Sequence, residues 1–166
     1  NASHNTGFYY ALQSLKQIIS FRDSFGILPF LTIKDYPQMS WRGVVEGFYG
    51  APWSHEKRMD QIRFYSSLKM NAYIYVLKED VDHRENWREP YPATEINRMK
   101  DLVDQSKAGY LDFIFAISPG LDLRFSGHGA NEDFEAMIFK LDSMYDLGVR
   151  SFAIFYDDIH DKSGQA

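Results

Sequence analysis

Short runs of branched and aromatic apolar residues recur along the chain from residue 44 and alternate with longer segments of helical periodicity. The runs occupy residues 44–48, 71–77, 110–117 and 151–159. The last run does not alternate with polar residues, so we expect a strand that is covered on both faces, as in a parallel sheet. The alternation as a whole predicts a β-α-β-α-β-α-β chain with right-handed crossovers.

The segments between these runs carry the start and stop signals of helices. The predicted N-caps are Ser54, Thr94 and Asn131, and the predicted C-terminal stops are Gly109 and Gly148. In the third helix the predicted apolar face comprises Phe134, Met137, Ile138, Leu141 and Tyr145. Long connections remain at residues 78–93 and 118–130, and site residues are expected there.

Regular β/α spacing has two natural architectures, an open doubly wound sheet and a (β/α)8 barrel. A barrel needs eight strands and typically ~250 residues, so a chain of 166 residues accommodates only its first half. Gly47 and Gly50 follow the first strand, but they have neither of the glycine spacings that cradle a nucleotide phosphate. The pattern therefore argues against a nucleotide site.

The first 40 residues have a different pattern. Residues 7–20 place Phe8, Leu12 and Leu15 on one face of a predicted amphipathic helix, and residues 27–33 read as a short strand in which Pro29 indicates an edge. One helix and one strand cannot form a core. We therefore expect residues 1–40 to be the C-terminal part of an N-terminal α/β domain, and residues 41–166 to be the N-terminal half of a barrel, which would make the chain an excerpt.

Composition excludes several classes of partner. A formal net charge of -5 without any basic run argues against nucleic-acid and anionic-membrane partners, and no apolar segment approaches the roughly 20 residues of a membrane span. The chain contains no Cys, and His55, His128 and His160 lack the spacing of metal ligands. We therefore expect neither a metal nor a cofactor.

The last predicted strand ends at two adjacent carboxylates, Asp157 and Asp158. Parallel α/β folds bind ligands at the carboxyl ends of their strands. Two neighbouring carboxylates repel each other, so their pKa values separate, and such a pair can divide acid and base roles. An Asp in this position is also a common helix N-cap, and the stretch alone leaves both interpretations open.

Several longer motifs give the chain a resemblance to a known family. They are RGVVEGFYGAPWS at residues 42–54, NAYIY at 71–75, Lys78, His83 with Arg84, WREPYP at 87–92, ISPGLD at 117–122, and GVRSFA at 148–153 followed by DDI at 157–159. In this order and spacing the chain closely resembles glycoside hydrolase family 84, the O-GlcNAcase and so-called hyaluronidase family, and most of all its bacterial, clostridial-type members. The resemblance covers residues 42–162.

This resemblance implies a retaining exo-β-N-acetylglucosaminidase in which the acetamido oxygen of the sugar is the nucleophile, an exception to the scheme with a carboxylate nucleophile. Asp157 matches the residue that orients the acetamide, and Asp158 matches the general acid and base. Gly47, through its main-chain carbonyl, and Lys78, through its ammonium, match residues that hold sugar hydroxyls. The implied partner is a glycan or glycoprotein that bears GlcNAc.

Two nearby residues have more ordinary interpretations. Trp87 lies in the long second connection, where we expect it to pack the loop rather than stack on sugar. Glu46 lies within the first predicted strand, where a partnered structural carboxylate is expected. Around Lys78 the chain departs from the family pattern, because Val76-Leu-Lys-Glu-Asp-Val-Asp82 lacks the prolines usual there, which predicts a less rigid loop.

Truncation to half a barrel has further expected consequences. The residues of the second half that complete the sugar pocket in this family are absent, so weak turnover is expected from the chain alone, and exposed barrel edges are expected to favour self-association. A non-catalytic GlcNAc-binding or interaction fragment is the alternative function. An Asp-Asp magnesium phosphatase has little support, since no phosphate-binding loop is present. The start is not a signal peptide, and the likeness to bacterial members favours a secreted or cell-surface protein.

Overall fold

A computed structural model describes residues 4–22 and 25–156. Its elements, in chain order, are α1 (Asn5–Ile18), β1 (Ser20–Arg22), β2 (Phe25–Ile27), β3 (Gly43–Glu46), α2 (His55–Ser67), β4 (Ala72–Tyr75), α3 (Val81–Arg84), α4 (Ala93–Ala108), β5 (Asp112–Ile117), a 3-10 turn (Pro119–Leu121), α5 (Gly127–Leu147) and β6 (Ser151–Ile154).

Four parallel strands form the main sheet in the sequential order β3-β4-β5-β6. The register places Val45 beside Ile74, Ile74 beside Ile114 and Ile114 beside Ser151. Helices α2, α4 and α5 contribute to a single core on one face of this sheet. Sequential order with helices on one face is the arrangement of half a (β/α)8 barrel rather than of a doubly wound sheet, which confirms the predicted fold class.

The core between sheet and helices is built on aromatic rings. Alternate residues of β4 and β5 point to the helices, and the rings of Tyr73, Tyr75, Phe113 and Phe115 contact one another along this face. Ile62 from α2, Met99, Leu102 and Val103 from α4, and Met144 from α5 complete the core. Large rings suit this layer because one ring spans the distance between a strand and the helix above it.

The opposite, concave face of the sheet is uncovered in the part of the chain that is described. Val45 on β3 is 52% exposed, and Trp41 just before the strand is exposed as well. Ile74 and Ala153, which are partly exposed, and the buried Ile114 line a pocket on this face across the sheet. The side chains here are small or branched, in contrast with the aromatic layer on the helical face.

The helix termini agree only in part with the sequence. Ser54 caps α2 as predicted, its Oγ accepting from the Lys57 amide at 3.3 Å, and Gly148 ends α5 with φ 109°. The caps predicted at Thr94 and Asn131 are wrong. Pro92 precedes α4, so Thr94 lies in its first turn, and α5 begins four residues before Asn131.

The first turn of α5 is packed against the side chain of Arg124. The Arg124 side chain lies across Gly129, where an added Cβ would come within 2.6 Å of Arg124 Nη1. A glycine in the first turn of a helix costs little, and here it leaves room for Arg124 to reach Asp133 of the same helix.

The strand predicted at residues 27–33 is wrong. The chain instead forms an antiparallel hairpin in which β2 ends at Ile27 and pairs with β1, and residues 28–33 belong to no strand. Pro29 supplies no amide hydrogen for a ladder, which explains why pairing stops before it. The proposed domain division near residue 40 stays a prediction.

Helix α1 turns a different face to the protein than its periodicity indicates. Phe8, Leu12 and Leu15 are exposed, and Gln13 is buried. Contacts with the rest of the chain run through polar and aromatic residues: Tyr9 packs on the ring of Tyr110 at a centroid distance of 5.0 Å. The expected apolar face of α1 is therefore not covered by the residues described.

Burial on both faces was predicted for the last strand and is wrong for β6. Its residues alternate, with Phe152 37% and Ile154 43% exposed on the helical face. Phe134, Ile138 and Tyr145 of α5, predicted to be inward, are exposed as well. The reason is common to both: in the described chain no element packs beyond α5 and β6. Residues 157–159 of the predicted strand lie outside the described residues.

Candidate functional site

The carboxyl ends of the parallel strands meet at one edge of the sheet. Gly47 follows β3 directly, and Lys78 follows β4 after two residues. The Val76 amide donates to the Glu46 carbonyl at 3.3 Å, so the pairing of β3 and β4 continues up to this edge. Two of the four predicted site residues, Gly47 and Lys78, are thus brought to the same edge.

Asp157 and Asp158 lie outside the described residues. The chain leading to them is described as far as Tyr156: the Phe155 amide donates to the Ile117 carbonyl at 2.9 Å and extends the pairing of β6 with β5. β6 therefore runs toward the same edge as β3 and β4. The roles assigned to the two aspartates stay predictions.

Gly47 occupies a position where a side chain would be crowded. An added Cβ would lie 3.0 Å from Val76 Cγ1 and 3.3 Å from Val45 Cγ1, both tighter than ordinary van der Waals contact. A larger residue would require the side chains of Val76 and Val45 to shift by a few tenths of an ångström. Glycine here keeps the main chain accessible at the strand end, as a contact through the Gly47 carbonyl requires.

Lys78 is half-buried, and its Nζ lies 5.8 Å from the centroid of the Tyr49 ring. The next residue, Glu79, accepts a hydrogen bond from the Gly50 amide through Oε1 at 3.4 Å. These contacts join the connection after β3 to the connection after β4. Lys78 is therefore held near residues that follow Gly47.

Glu46, just before Gly47, is buried and fully partnered, as predicted. Its two carboxylate oxygens accept from Arg58 Nε at 3.1 and 2.9 Å, and one of them also accepts from the Tyr73 hydroxyl. Burial, together with the Glu46 carboxylate, raises the pKa of Tyr73 far above its usual value, so the phenol remains a donor. This network fixes the end of β3 against α2.

Below the edge, His83 of α3 is completely buried, with Nε2 3.3 Å from Ser118 Oγ. Burial lowers the pKa of His83 to about 3, and the nearby cations Lys140, Lys78 and Arg84 act in the same direction. The imidazole is therefore neutral at physiological pH. It links the connection after β4 to the residue that follows β5.

Trp87 is buried and packs the loop, as expected. Its Nε1 donates to Asp122 Oδ1 at 2.8 Å, and the Arg88 guanidinium lies 4.3 Å from the Trp87 ring centroid. Such a ring has no free face for a sugar. The contact instead joins the second long connection to the third.

The ion-pair cluster beside Trp87 was not predicted from the sequence. Arg88 donates to the buried Asp133 through Nε at 2.7 Å and Nη2 at 2.8 Å, and Arg124 binds the same carboxylate through its amide at 2.8 Å. Hydrogen bonds from Arg88, which have the larger effect, and from Arg124 hold the pKa of Asp133 well below its ordinary value. In the sequence, the cluster is indicated only by the spacing of two polar residues. Asp133 and Lys140 lie seven residues apart, which places them on one face of α5, and that face is buried.

The sequence of this chain matches the family model described as beta-N-acetylglucosaminidase over residues 42–166. The chain belongs to this family. The match includes the strand ends just described and all four residues predicted for the site. The predicted resemblance is therefore confirmed, and with it the assignment to the glycoside hydrolases.

Two curated relatives are named Protein O-GlcNAcase, from Rattus norvegicus and Mus musculus. Each is 41% identical over 117 residues, which is 70% of this chain and 12% of the relative. The chain thus spans about an eighth of the length of these β-N-acetylglucosaminidase-family relatives.

Solved structures agree with this membership. The structure of CpGH84B has a TM-score of 0.90 and 53% identity and covers 98% of this chain and 28% of its own. A mutant of the O-GlcNAc hydrolase of Thermobaculum terrenum has a TM-score of 0.69 and 41% identity, covering 73% of this chain and 26% of its own. The first of these structures therefore shares its fold with this chain over 98% of the chain's length.

Two further properties of this family member can be read from the described residues. Among residues 4–22 and 25–156, no three His, Asp or Glu side chains are grouped so that they could bind a metal ion. Within the same residues, no helix has the length and apolar character needed to cross a bilayer.

Proposed function

We propose that this chain forms part of the sugar site of a retaining exo-β-N-acetylglucosaminidase, which removes terminal β-linked GlcNAc from a glycan or glycoprotein. The observation that carries the proposal is the family match, because the matched residues include Gly47, Lys78, Asp157 and Asp158. The common edge reached by β3 and β4 supports it, since a single ligand can contact the ends of adjacent parallel strands.

The proposed reaction has two steps. In the first, the acetamido oxygen of the sugar attacks the anomeric carbon while the bond to the leaving oxygen breaks and Asp158 donates its proton to that oxygen. Asp157 accepts the hydrogen bond of the acetamide N–H and stabilises the charge that develops as an oxazoline forms. In the second step, Asp158 removes a proton from water as that water attacks the anomeric carbon and the oxazoline opens. Two inversions give net retention.

Gly47 and Lys78 hold the sugar in this proposal. The Gly47 carbonyl accepts from one hydroxyl, and the Lys78 ammonium donates to another. Crowding by Val45 and Val76 around Gly47 supports the first role, because it selects the residue that leaves the main chain uncovered. Placement of Lys78 next to the connection after β3 supports the second.

Turnover of an aryl β-N-acetylglucosaminide tests the proposal. We expect slow release of the aryl alcohol by the chain, because the concave face is open in the described residues and would position a sugar weakly. Asp158→Asn should lower that rate by ~100-fold or more. Asp142→Asn, an exposed Asp on α5, is the matched control and should leave it unchanged. Equal rates for the wild type and Asp158→Asn would exclude the proposed acid.

A non-catalytic GlcNAc-binding fragment is the second candidate. It is favoured by the described part of the site, because Gly47 and Lys78, the two residues at the common edge, have proposed roles in binding only. Titration with GlcNAc and with GlcNAc-thiazoline separates the two. Saturable binding without any turnover supports the binding fragment, and turnover that depends on Asp158 supports the enzyme.

A further inference from the structure

One side chain of α5 reaches under the connection that follows β4. Lys140 is only 1% exposed. Its Nζ donates to the main-chain oxygens of Asp82 and Asn86, the latter at 3.3 Å, and lies 4.4 Å from the centroid of the Tyr91 ring. A single ammonium thus contacts three points along residues 82–91.

A buried ammonium is costly unless its donors are paired. Burial lowers the pKa of Lys140 to about 8, an effect that the carboxylates of Asp82 and Asp80 partly offset. The adjacent positions on the same face of α5, Met137 and Met144, are apolar and pack in the core. Packing alone would therefore favour an apolar residue at 140, and the lysine must be explained by what its ammonium binds.

The element that it binds cannot be stable alone. Helix α3 has four residues, Val81–Arg84, a single turn, and isolated turns of helix are unfavourable in water. Asp80 caps its start by accepting from the Asp82 amide at 2.9 Å. Lys140 binds the carbonyl oxygens of Asp82, the second residue of the turn, and of Asn86, two residues after the turn. Helix α3 is thus held at its start by Asp80 and from its second residue onward by Lys140.

Lys78 lies just before this turn. The segment Lys78-Glu79-Asp80 connects the end of β4 to α3, so the position of α3 limits where the Lys78 ammonium can lie. No proline stiffens the segment. We propose that Lys140 is a positioning residue. Its contacts with Asp82, Asn86 and Tyr91 fix α3 and thereby orient Lys78 toward the edge where the carboxyl ends of the parallel strands meet. The part of this proposal in which Lys78 is oriented toward a sugar rests on the proposed function, whereas the part in which Lys140 fixes α3 does not.

Hydrogen exchange tests the structural half of the proposal. In Lys140→Met, which removes the charge and keeps the length, the amides of His83 to Asn86 should exchange ~10-fold faster or more, because local opening becomes easier. Amides of α4 should not change. Lys100→Met is the matched control, since Lys100 is exposed and pairs with Asp104 within its own helix. Unchanged exchange of residues 83–86 in Lys140→Met overturns the proposal.

Ligand affinity tests the functional half. Lys140→Met should weaken binding of GlcNAc-thiazoline about as much as Lys78→Ala does, and Lys140→Arg, which keeps a cation, should restore part of the loss. Weakened binding in Lys78→Ala but full affinity in Lys140→Met overturns the positioning role. If the wild type does not bind the compound, the proposed function fails, and the exchange experiment still decides whether Lys140 fixes α3.

If Lys140→Met does not fold, hydrogen exchange of the wild type still tests the proposal. The amides of Glu85 and Asn86 donate to the Val81 carbonyl at 3.0 and 2.8 Å. Strong protection of these two amides supports a fixed α3. Exchange at the rate of an unstructured peptide overturns the proposal.

Discussion

Glu46 and Gly47 are neighbours with opposite requirements. The Glu46 side chain points toward the helices, where its carboxylate accepts from Arg58 and Tyr73, and a side chain at Gly47 would crowd the side chain of Val76 on the other face. Strand alternation makes this possible, since successive residues face opposite sides. The motif around them therefore combines an anchor for the strand with an uncovered main chain.

Loss of the Glu46 anchor should destabilise the protein strongly. Glu46→Ala leaves the half-buried Arg58 without its carboxylate, and breaking such a pair costs about 3–5 kcal/mol. Urea denaturation measures this as a lower midpoint. Glu56→Ala on the exposed side of α2 is the control and should change the free energy of unfolding by less than about 0.5 kcal/mol. A loss below about 1 kcal/mol for Glu46→Ala would contradict the structural role.

His83 should make stability depend on pH. Its folded-state pKa is lowered to about 3, whereas an unfolded histidine titrates near ~6.5. Between these values the unfolded chain binds more protons, so the free energy of unfolding falls as pH falls below ~6.5, by up to ~1.4 kcal/mol per pH unit from this group. His83→Gln should flatten the profile between ~pH 4.5 and ~6.5. His128→Gln, at an exposed site, should keep it, and parallel profiles for His83→Gln and wild type would refute the assignment.

At the scale of elements, the sequence pattern was sufficient for the four strands of the main sheet and for the long helices, but not for the strand predicted at residues 27–33. Runs of aromatic and branched residues identify β3 to β6, because these side chains favour strands. Short elements were missed: α3 is a single turn whose stability comes from Asp80 and Lys140, contacts made across the fold rather than along the sequence. Gly47 and Lys78 lie at one edge because they follow adjacent parallel strands, and their roles in binding stay predictions.

The faces of α1 and α5 show the limit of amphipathicity. A stripe such as Phe134, Ile138 and Tyr145 predicts that something covers it, but not what, and in the described chain nothing does. The buried face of α5 carries Asp133 and Lys140, which lower the apparent amphipathicity of the surface that packs.

Two substitutions on α5 distinguish these faces. Met144→Ala, at a fully buried site, should lower the free energy of unfolding by about 2–5 kcal/mol. Ile138→Ser, on the exposed stripe, should change it by less than about 1 kcal/mol. Thermal and urea unfolding measure both. A larger loss for Ile138→Ser than for Met144→Ala would mean that the stripe is covered in solution.

At the scale of the whole molecule, helices pack on one face of the sheet but leave Phe152 and Ile154 of β6 exposed there, and the opposite, concave face is open in the described residues. β3 and β6 are the outer strands of the described sheet, and unpaired strand edges beside apolar surface favour association.

We therefore expect the chain to self-associate as its concentration rises. Light scattering or sedimentation across a ~100-fold range of concentration should show a rising mean mass. Val45→Asp, which puts a charge on the concave face, should shift association to higher concentration, and Asp142→Asn is the control. A constant monomeric mass throughout would contradict the expectation.

Arg88 joins two β/α units, because its guanidinium binds Asp122 after β5 and Asp133 within α5. The connection that contains Arg88 therefore cannot be replaced by that of a relative without also replacing the residues that Arg88 binds. A chimera that takes residues 78–92 from a relative without an arginine at this position would leave Asp133 buried with one fewer cation. Recombination breakpoints between residues 88 and 133 should therefore be poorly tolerated, and the smallest exchangeable unit of this fold extends from β4 into α5.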